Sequence, residues 1–167
     1  MPAPKILVVY YSRSGRTRRV AKALAGRLNS SFEEIVETRG RDGFLGYLRS
    51  IIEARRKQSA DIAPARNDPS TFDLVVIGTP VWAWSVSSPV RAYLAANKNR
   101  LPEVAFFCTL GGKGSETAFA QMQSIVGKPP RATCAITGRE AYGPKLATFA
   151  EALRTPASTA RIVGAPN

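Results

Sequence analysis

Three hydroxyls and a glycine stand close together near the amino end, in the run Val8-Val9-Tyr10-Tyr11-Ser12-Arg13-Ser14-Gly15-Arg16-Thr17. The chemistry that Ser12, Ser14, Gly15 and Thr17 support is the binding of phosphate. An apolar strand ends there and a helical pattern begins at once. The loop therefore presents the unpaired backbone N–H groups of a helix start, at the positive end of the helix dipole. The hydroxyls add donors, and Gly15 lets the backbone approach a ligand closely. The plainer alternative is an ordinary capped helix with Ser14 as its cap.

Two further stretches carry chemistry. Gly78-Thr79-Pro80-Val81-Trp82-Ala83-Trp84-Ser85 holds both tryptophans of the chain beside a turn. They could stack on a flat heterocycle, or serve as core or interface residues. Thr109-Leu110-Gly111-Gly112-Lys113-Gly114-Ser115 has glycines that permit tight turns and close approach to a planar ligand, or that make a flexible connection. Histidine is absent, which removes Ser-His-Asp and Cys-His catalysis and the commonest metal ligand. No Cys or carboxylate cluster has metal spacing. No protein nucleophile or general base stands out, so the chemistry is expected to reside in a bound cofactor. Competing motifs fail: Gly111-Gly112-Lys113 lacks the upstream glycine of a Walker loop, and no Gly-x-Gly-x-x-Gly opens a helix. A phosphatase of similar architecture would need a cysteine between Ser12 and Thr17.

The elements that must position these stretches alternate between strand and helix. Lys5–Tyr10 reads as a buried strand, and Val20, Leu24 and Leu28 mark one face of a helix over about 15–29. Phe32–Glu37, Phe72–Gly78, Val104–Leu110 and Ala132–Thr137 read as further strands. Phe44, Leu45, Leu48, Ile51 and Ile52 repeat at helical spacing. Ser88-Pro89 reads as a helix cap followed by proline, Ser115–Val126 as a helix, and Gly143–Leu153 as a last one. Five strands each followed by a helix make an α/β parallel sheet covered on both faces. In such a sheet all three loops emerge at the carboxyl edge, where ligands bind. One would cradle phosphate, one present aromatics, and one offer backbone N–H groups.

The 167 residues read as one domain with a core over about 4–154 and a tail over 155–167. Lys5 is followed at once by a strand and a polar loop, unlike a signal peptide, and no apolar run is long enough to span a membrane. A cytoplasmic protein with Cys108 and Cys134 as buried reduced thiols is the expectation. Lysine and arginine number 24 against 12 acidic residues, a net charge of +12. Such a field favours anionic ligands, acidic proteins, nucleic acid or anionic lipid, or is a solvated face. Basic residues are not interleaved with aromatics as single-strand binders usually require, which makes nucleic acid a weak reading.

The stretch Val8 to Leu24 resembles the flavodoxin signature: an aliphatic-aromatic strand end, Ser12, Gly15, Thr17, then Ala21 and Leu24. Gly78-Thr79-Pro80-Val81-Trp82 and Thr109-Leu110-Gly111-Gly112 are similar to the family's two ring-flanking loops. The resemblance implies a three-layer α/β/α sandwich with a five-stranded parallel sheet of order 2-1-3-4-5. It also implies non-covalently bound flavin mononucleotide (FMN). The phosphate would be held by Ser12, Arg13, Ser14, Gly15, Arg16 and Thr17. The ring would lie among Thr79, Pro80, Val81, Trp82, Ala83 and Trp84 on one side and Thr109, Leu110, Gly111, Gly112 and Lys113 on the other. Lys113 would supply a positive charge to the reduced anionic flavin.

The chain departs from the family in two ways. Electron-carrying flavodoxins are usually acidic, and they commonly stack an aromatic where this chain has Leu110 and glycines. Both departures suit flavodoxin-like oxidoreductases that pass electrons to quinones, nitro compounds or protoporphyrinogen-type substrates. The resemblance thus implies an FMN redox protein, carrier or NAD(P)H- or quinone-type oxidoreductase, serving a partner protein or a small acceptor such as a quinone. The helix at 44–56 would cover the flavin mouth, dock a partner or lie on an anionic membrane, or be a plain crossover helix. A non-catalytic binding module using its basic surface on an acidic protein, nucleic acid or membrane is the alternative from another class.

Overall fold

The computed structural model describes residues 3–38, 61–138 and 142–155. The helix expected at 44–56 and the tail beyond 155 lie outside the described residues. Five consecutive buried side chains make up β1 (Ile6–Tyr10), and only a strand covered on both faces has that pattern. The described chain continues through α1 (Arg16–Leu28), β2 (Ser31–Glu34), a 3-10 turn (Pro69–Thr71), β3 (Leu74–Trp82) and β4 (Ser85–Val86). It ends with α2 (Ser88–Asn97), β5 (Glu103–Leu110), α3 (Ser115–Val126), β6 (Thr133–Thr137) and α4 (Gly143–Arg154).

The strands order as β2-β1-β3-β5-β6, with β3 central and each of these pairs parallel. Counting parallel strands alone, this is the expected order 2-1-3-4-5. One element differs: β4 is an added short strand, antiparallel to the end of β3. Side chains alternate between the faces along each strand. Val8, Tyr10, Val76, Ala105 and Phe107 pack with Val20, Leu24, Leu146 and Leu153 of α1 and α4. Leu7, Val9, Val75, Ile77, Val104 and Phe106 pack with Val90, Leu94 and Met122 of α2 and α3. Three layers result.

Boundaries moved by small steps, except at β3. The strand expected to stop at Gly78 runs on to Trp82, because Gly78, Thr79 and Pro80 keep pairing with Phe107, Cys108 and Thr109 of β5. The cap before α2 is Ser87, one residue earlier than expected, and Pro89 falls in the first turn, where its missing N–H costs nothing. Cys108 and Cys134 are buried, unbridged thiols. Arg131, just before β6, ties β5 to α4: its Nε donates to Glu103 Oε1 at 2.8 Å and its Nη1 to the Leu153 carbonyl at 2.8 Å. On the open edge of β6, Lys145 Nζ donates to the Ala135 carbonyl at 3.1 Å.

Candidate functional site

The carboxyl ends of β1, β3 and β5 converge on one edge of the sheet, and each hands the chain to one of the three stretches singled out above. Helix α1 starts at Gly15, whose φ of +90° is natural for glycine and strained for other residues. No side chain caps this helix; Ser12 Oγ instead accepts the Gly15 N–H at 3.1 Å. The first-turn N–H groups of a 13-residue helix therefore face the loop without a side-chain cap, the arrangement that attracts a phosphate dianion. Arg13 and Ser14 are exposed at the loop tip, whereas Ser12 and Thr17 are buried.

Thr17 and Arg16 make bonds that reach across the sheet edge. Thr17 Oγ1 lies 2.8 Å from Thr109 Oγ1 in a buried hydrogen bond. Arg16 Nη1 donates to the Leu110 carbonyl at 3.3 Å, and Nη2 donates to the carbonyl of Gly138. The first and third stretches are thus joined to each other, and also to the turn after β6.

The second stretch is not a loose loop. Val81 pairs with Val86 and Trp82 with Ser85, leaving a two-residue turn of Ala83 and Trp84. Both have positive φ, 48° and 60°, as the tight turn that matches strand twist requires. Asn and Gly usually fill such positions, so sequence alone offers no signal for it. Thr79 is wholly buried and accepts the Ser87 N–H at 3.1 Å. Pro80, Val81, Trp82 and Ala83 are partly exposed. The Trp82 ring meets Tyr11 edge-on, 5.6 Å between centroids at 89°, and Tyr11 in turn donates to Glu37 Oε2 at 2.8 Å. Trp84 is 65% exposed.

The third stretch runs under that tryptophan. Gly111, Gly112 and Lys113 are exposed, and a Cβ on either glycine would meet nothing within 4 Å. Gly114 differs: its φ is +110°, and a Cβ there would lie 2.7 Å from Trp84 Cα. Glycine at this position allows the hairpin and the third stretch to touch. Leu110 is buried beneath them, and Thr109 is held by Thr17.

Residues outside the three stretches support the site without any local sequence signal. Gln121 of α3 accepts the Val86 N–H at 2.9 Å and donates to Ser85 Oγ at 3.2 Å, fixing the hairpin. Its Oε1 also accepts from Arg91 Nη2 at 3.3 Å, and burial holds that guanidinium below its ordinary pKa. Glu33 is buried at the end of β2 and accepts N–H bonds from Arg66 and Asn67, anchoring the chain that leads back to β3. Among the described residues no group of three or more His, Cys, Asp or Glu could hold a metal ion. Nor is any described helix long and apolar enough to cross a membrane.

Comparison with known proteins agrees with this fold. A family model described as flavodoxin matches residues 5–131. Among solved structures, a flavoprotein in complex with FMN from Lactobacillus acidophilus superposes with a TM-score of 0.70 at 24% identity, covering 80% of this chain and 93% of that one. A structure from Bacteroides eggerthii gives a TM-score of 0.76 at 19% identity, covering 92% and 99%. The two-electron reduced flavodoxin of Megasphaera elsdenii gives 0.57 at 14% identity, covering 88% and 96%. Among curated proteins no sequence matches.

Proposed function

Because the chain belongs to the flavodoxin family, we propose that it binds FMN non-covalently and passes electrons through it to a partner protein or a small acceptor such as a quinone. One observation carries the reading: the side-chain-uncapped start of α1, the tryptophan hairpin and the open Gly111-Gly112 backbone occupy one sheet edge. That edge offers unpaired N–H groups for a phosphate and a partly apolar rim for a flat ring, so the residues present fit the cofactor. The FMN bound in the Lactobacillus acidophilus flavoprotein supports the same ligand.

When bound, FMN supplies one- and two-electron chemistry that no side chain here provides. The chain's own residues do the rest. Ser12 to Thr17 bind the phosphate through backbone and hydroxyl donors. Trp82 and Trp84 would flank the ring and shield it from water. Exposed N–H groups of Gly111 to Lys113 and the Lys113 ammonium would favour negative charge on the ring. The net charge of +12 supports an acidic docking partner, since opposite fields raise the rate of encounter.

The purified protein is expected to be yellow, with a flavin absorption spectrum, and to release FMN on denaturation as identified by mass spectrometry. Colourless protein that takes up no added FMN overturns the proposal. Anaerobic titration of the loaded protein with NADH and NADPH then separates a reductase from a carrier that needs a protein donor.

A further inference from the structure

The geometry points to Arg16 as a positioning residue that braces the ring-side loop, rather than as a ligand to the flavin phosphate; the inference rests on the flavin reading above. Arg16 belongs to the phosphate loop by sequence, yet its guanidinium turns along the sheet edge. Nη1 donates to the Leu110 carbonyl at 3.3 Å, and Nη2 donates to the Gly138 carbonyl and lies 3.5 Å from that of Ile136. The Gly138 N–H itself donates to the Leu110 carbonyl at 2.9 Å. Arg16, Leu110 and Gly138 therefore close a ring of hydrogen bonds.

The placement of that ring gives it a role. Leu110 is the last residue of β5, and the next two, Gly111 and Gly112, carry the open backbone expected to face the flavin ring. Gly138 turns the chain after β6 with a φ of +49°, and a Cβ built on it would come 4.0 Å from the Gly111 carbonyl oxygen. The brace thus fixes the root of a glycine-rich loop that has little side-chain packing of its own. A planar guanidinium fork can donate to two carbonyls at once, which the single ammonium of lysine cannot reproduce. Charge-assisted bonds of this kind are roughly twice as strong as neutral ones. A phosphate drawing on these Nη donors would compete with the brace.

The test uses the full chain with Arg16→Gln and Arg16→Lys. Each is titrated with FMN and with riboflavin, which lacks the phosphate, and backbone hydrogen exchange is followed without flavin. Both variants are expected to lose about tenfold or more in affinity for both flavins alike, with faster exchange at Gly111, Gly112 and Gly138. Weakened FMN binding with riboflavin binding intact, and FMN binding restored in Arg16→Lys, would make Arg16 a phosphate ligand and overturn the inference. Wild-type protein that binds neither flavin refutes the flavin reading instead. The exchange measurement then decides alone, and unchanged exchange overturns the brace. Arg16→Lys keeps the charge and the stem, and carries the test should Arg16→Gln not fold.

Discussion

Thr17 and Thr109 share a buried hydrogen bond of 2.8 Å, although 92 residues separate them in the chain. One sits in the first turn of α1 and the other near the end of β5, so the bond ties the phosphate-loop helix directly to the strand that carries the ring-side loop. Neither hydroxyl reaches water, and the bond lets both be buried cheaply.

Thr17→Val leaves the Thr109 hydroxyl buried without this partner and is expected to cost about 1–3 kcal/mol of unfolding free energy. Thr17→Val with Thr109→Val removes both polar groups and should recover much of that loss. Urea unfolding of the wild type, both single variants and the double variant checks this. A double variant whose cost equals the sum of the singles would show that the two groups do not interact.

Gly78 is set by space. It lies between Tyr10 and Phe107 in the sheet, and a Cβ there would fall 2.0 Å from Cζ of the Phe107 ring. Gly78→Ala is expected to destabilise by about 1–3 kcal/mol through overpacking. Adding Phe107→Leu should offset part of that penalty, at the separate cost of a smaller core side chain. Thermal unfolding of the three variants provides the comparison.

How far the sequence could be read depended on the range of the cause. The parallel strands were legible because a strand buried on both faces must be apolar throughout, as Ile6 to Tyr10 and Val104 to Phe107 are. The first loop was legible because hydroxyls and glycine at a strand-to-helix junction have a local meaning. Pro80 hid the continuation of β3, since proline normally argues against an inner strand. Ala83 and Trp84 hid the hairpin, having none of the residues that favour positive φ. The bonds of Arg16 to Leu110 and Gly138 join positions 94 and 122 residues apart, and no local pattern marks such partners.

The turn at Ala83 and Trp84 yields a prediction of the opposite sign. Holding two non-glycine residues at positive φ costs about 1–2 kcal/mol each. Ala83→Gly removes that strain and pays a smaller entropic cost in the unfolded chain. A gain of about 0.5 kcal/mol is expected in chemical denaturation. Gly114→Ala should do the reverse, because its Cβ would press on Trp84 Cα and its φ of +110° suits only glycine.

Cys108 gives the protein an alkaline dependence. Burial, with a smaller contribution from Cys134, pushes its thiol up from 9.0 to about 12. The unfolded thiol ionises near its ordinary value while the folded one keeps its proton. Stability from this group is therefore intact below about pH 9 and is lost as pH climbs towards 12. The slope is at most about 1.4 kcal/mol per pH unit. Cys108→Ala should flatten the stability difference between pH 8 and pH 10.5 relative to wild type. Equal pH slopes in the two proteins would contradict the assignment.

The bond from Lys145 to the Ala135 carbonyl has a consequence for how the protein behaves in a crowd. β6 is the last strand of the parallel sheet, so one side of its backbone has no neighbouring strand to pair with among those described. An open row of such groups invites another chain to add itself and continue the sheet. Here the strand is only five residues long, and an ammonium already occupies one of its outward carbonyls. An approaching strand of a second copy would have to displace that cation and meet its charge. The lysine stands as a sentry on this short border of the sheet, setting a charge against self-assembly at its first step.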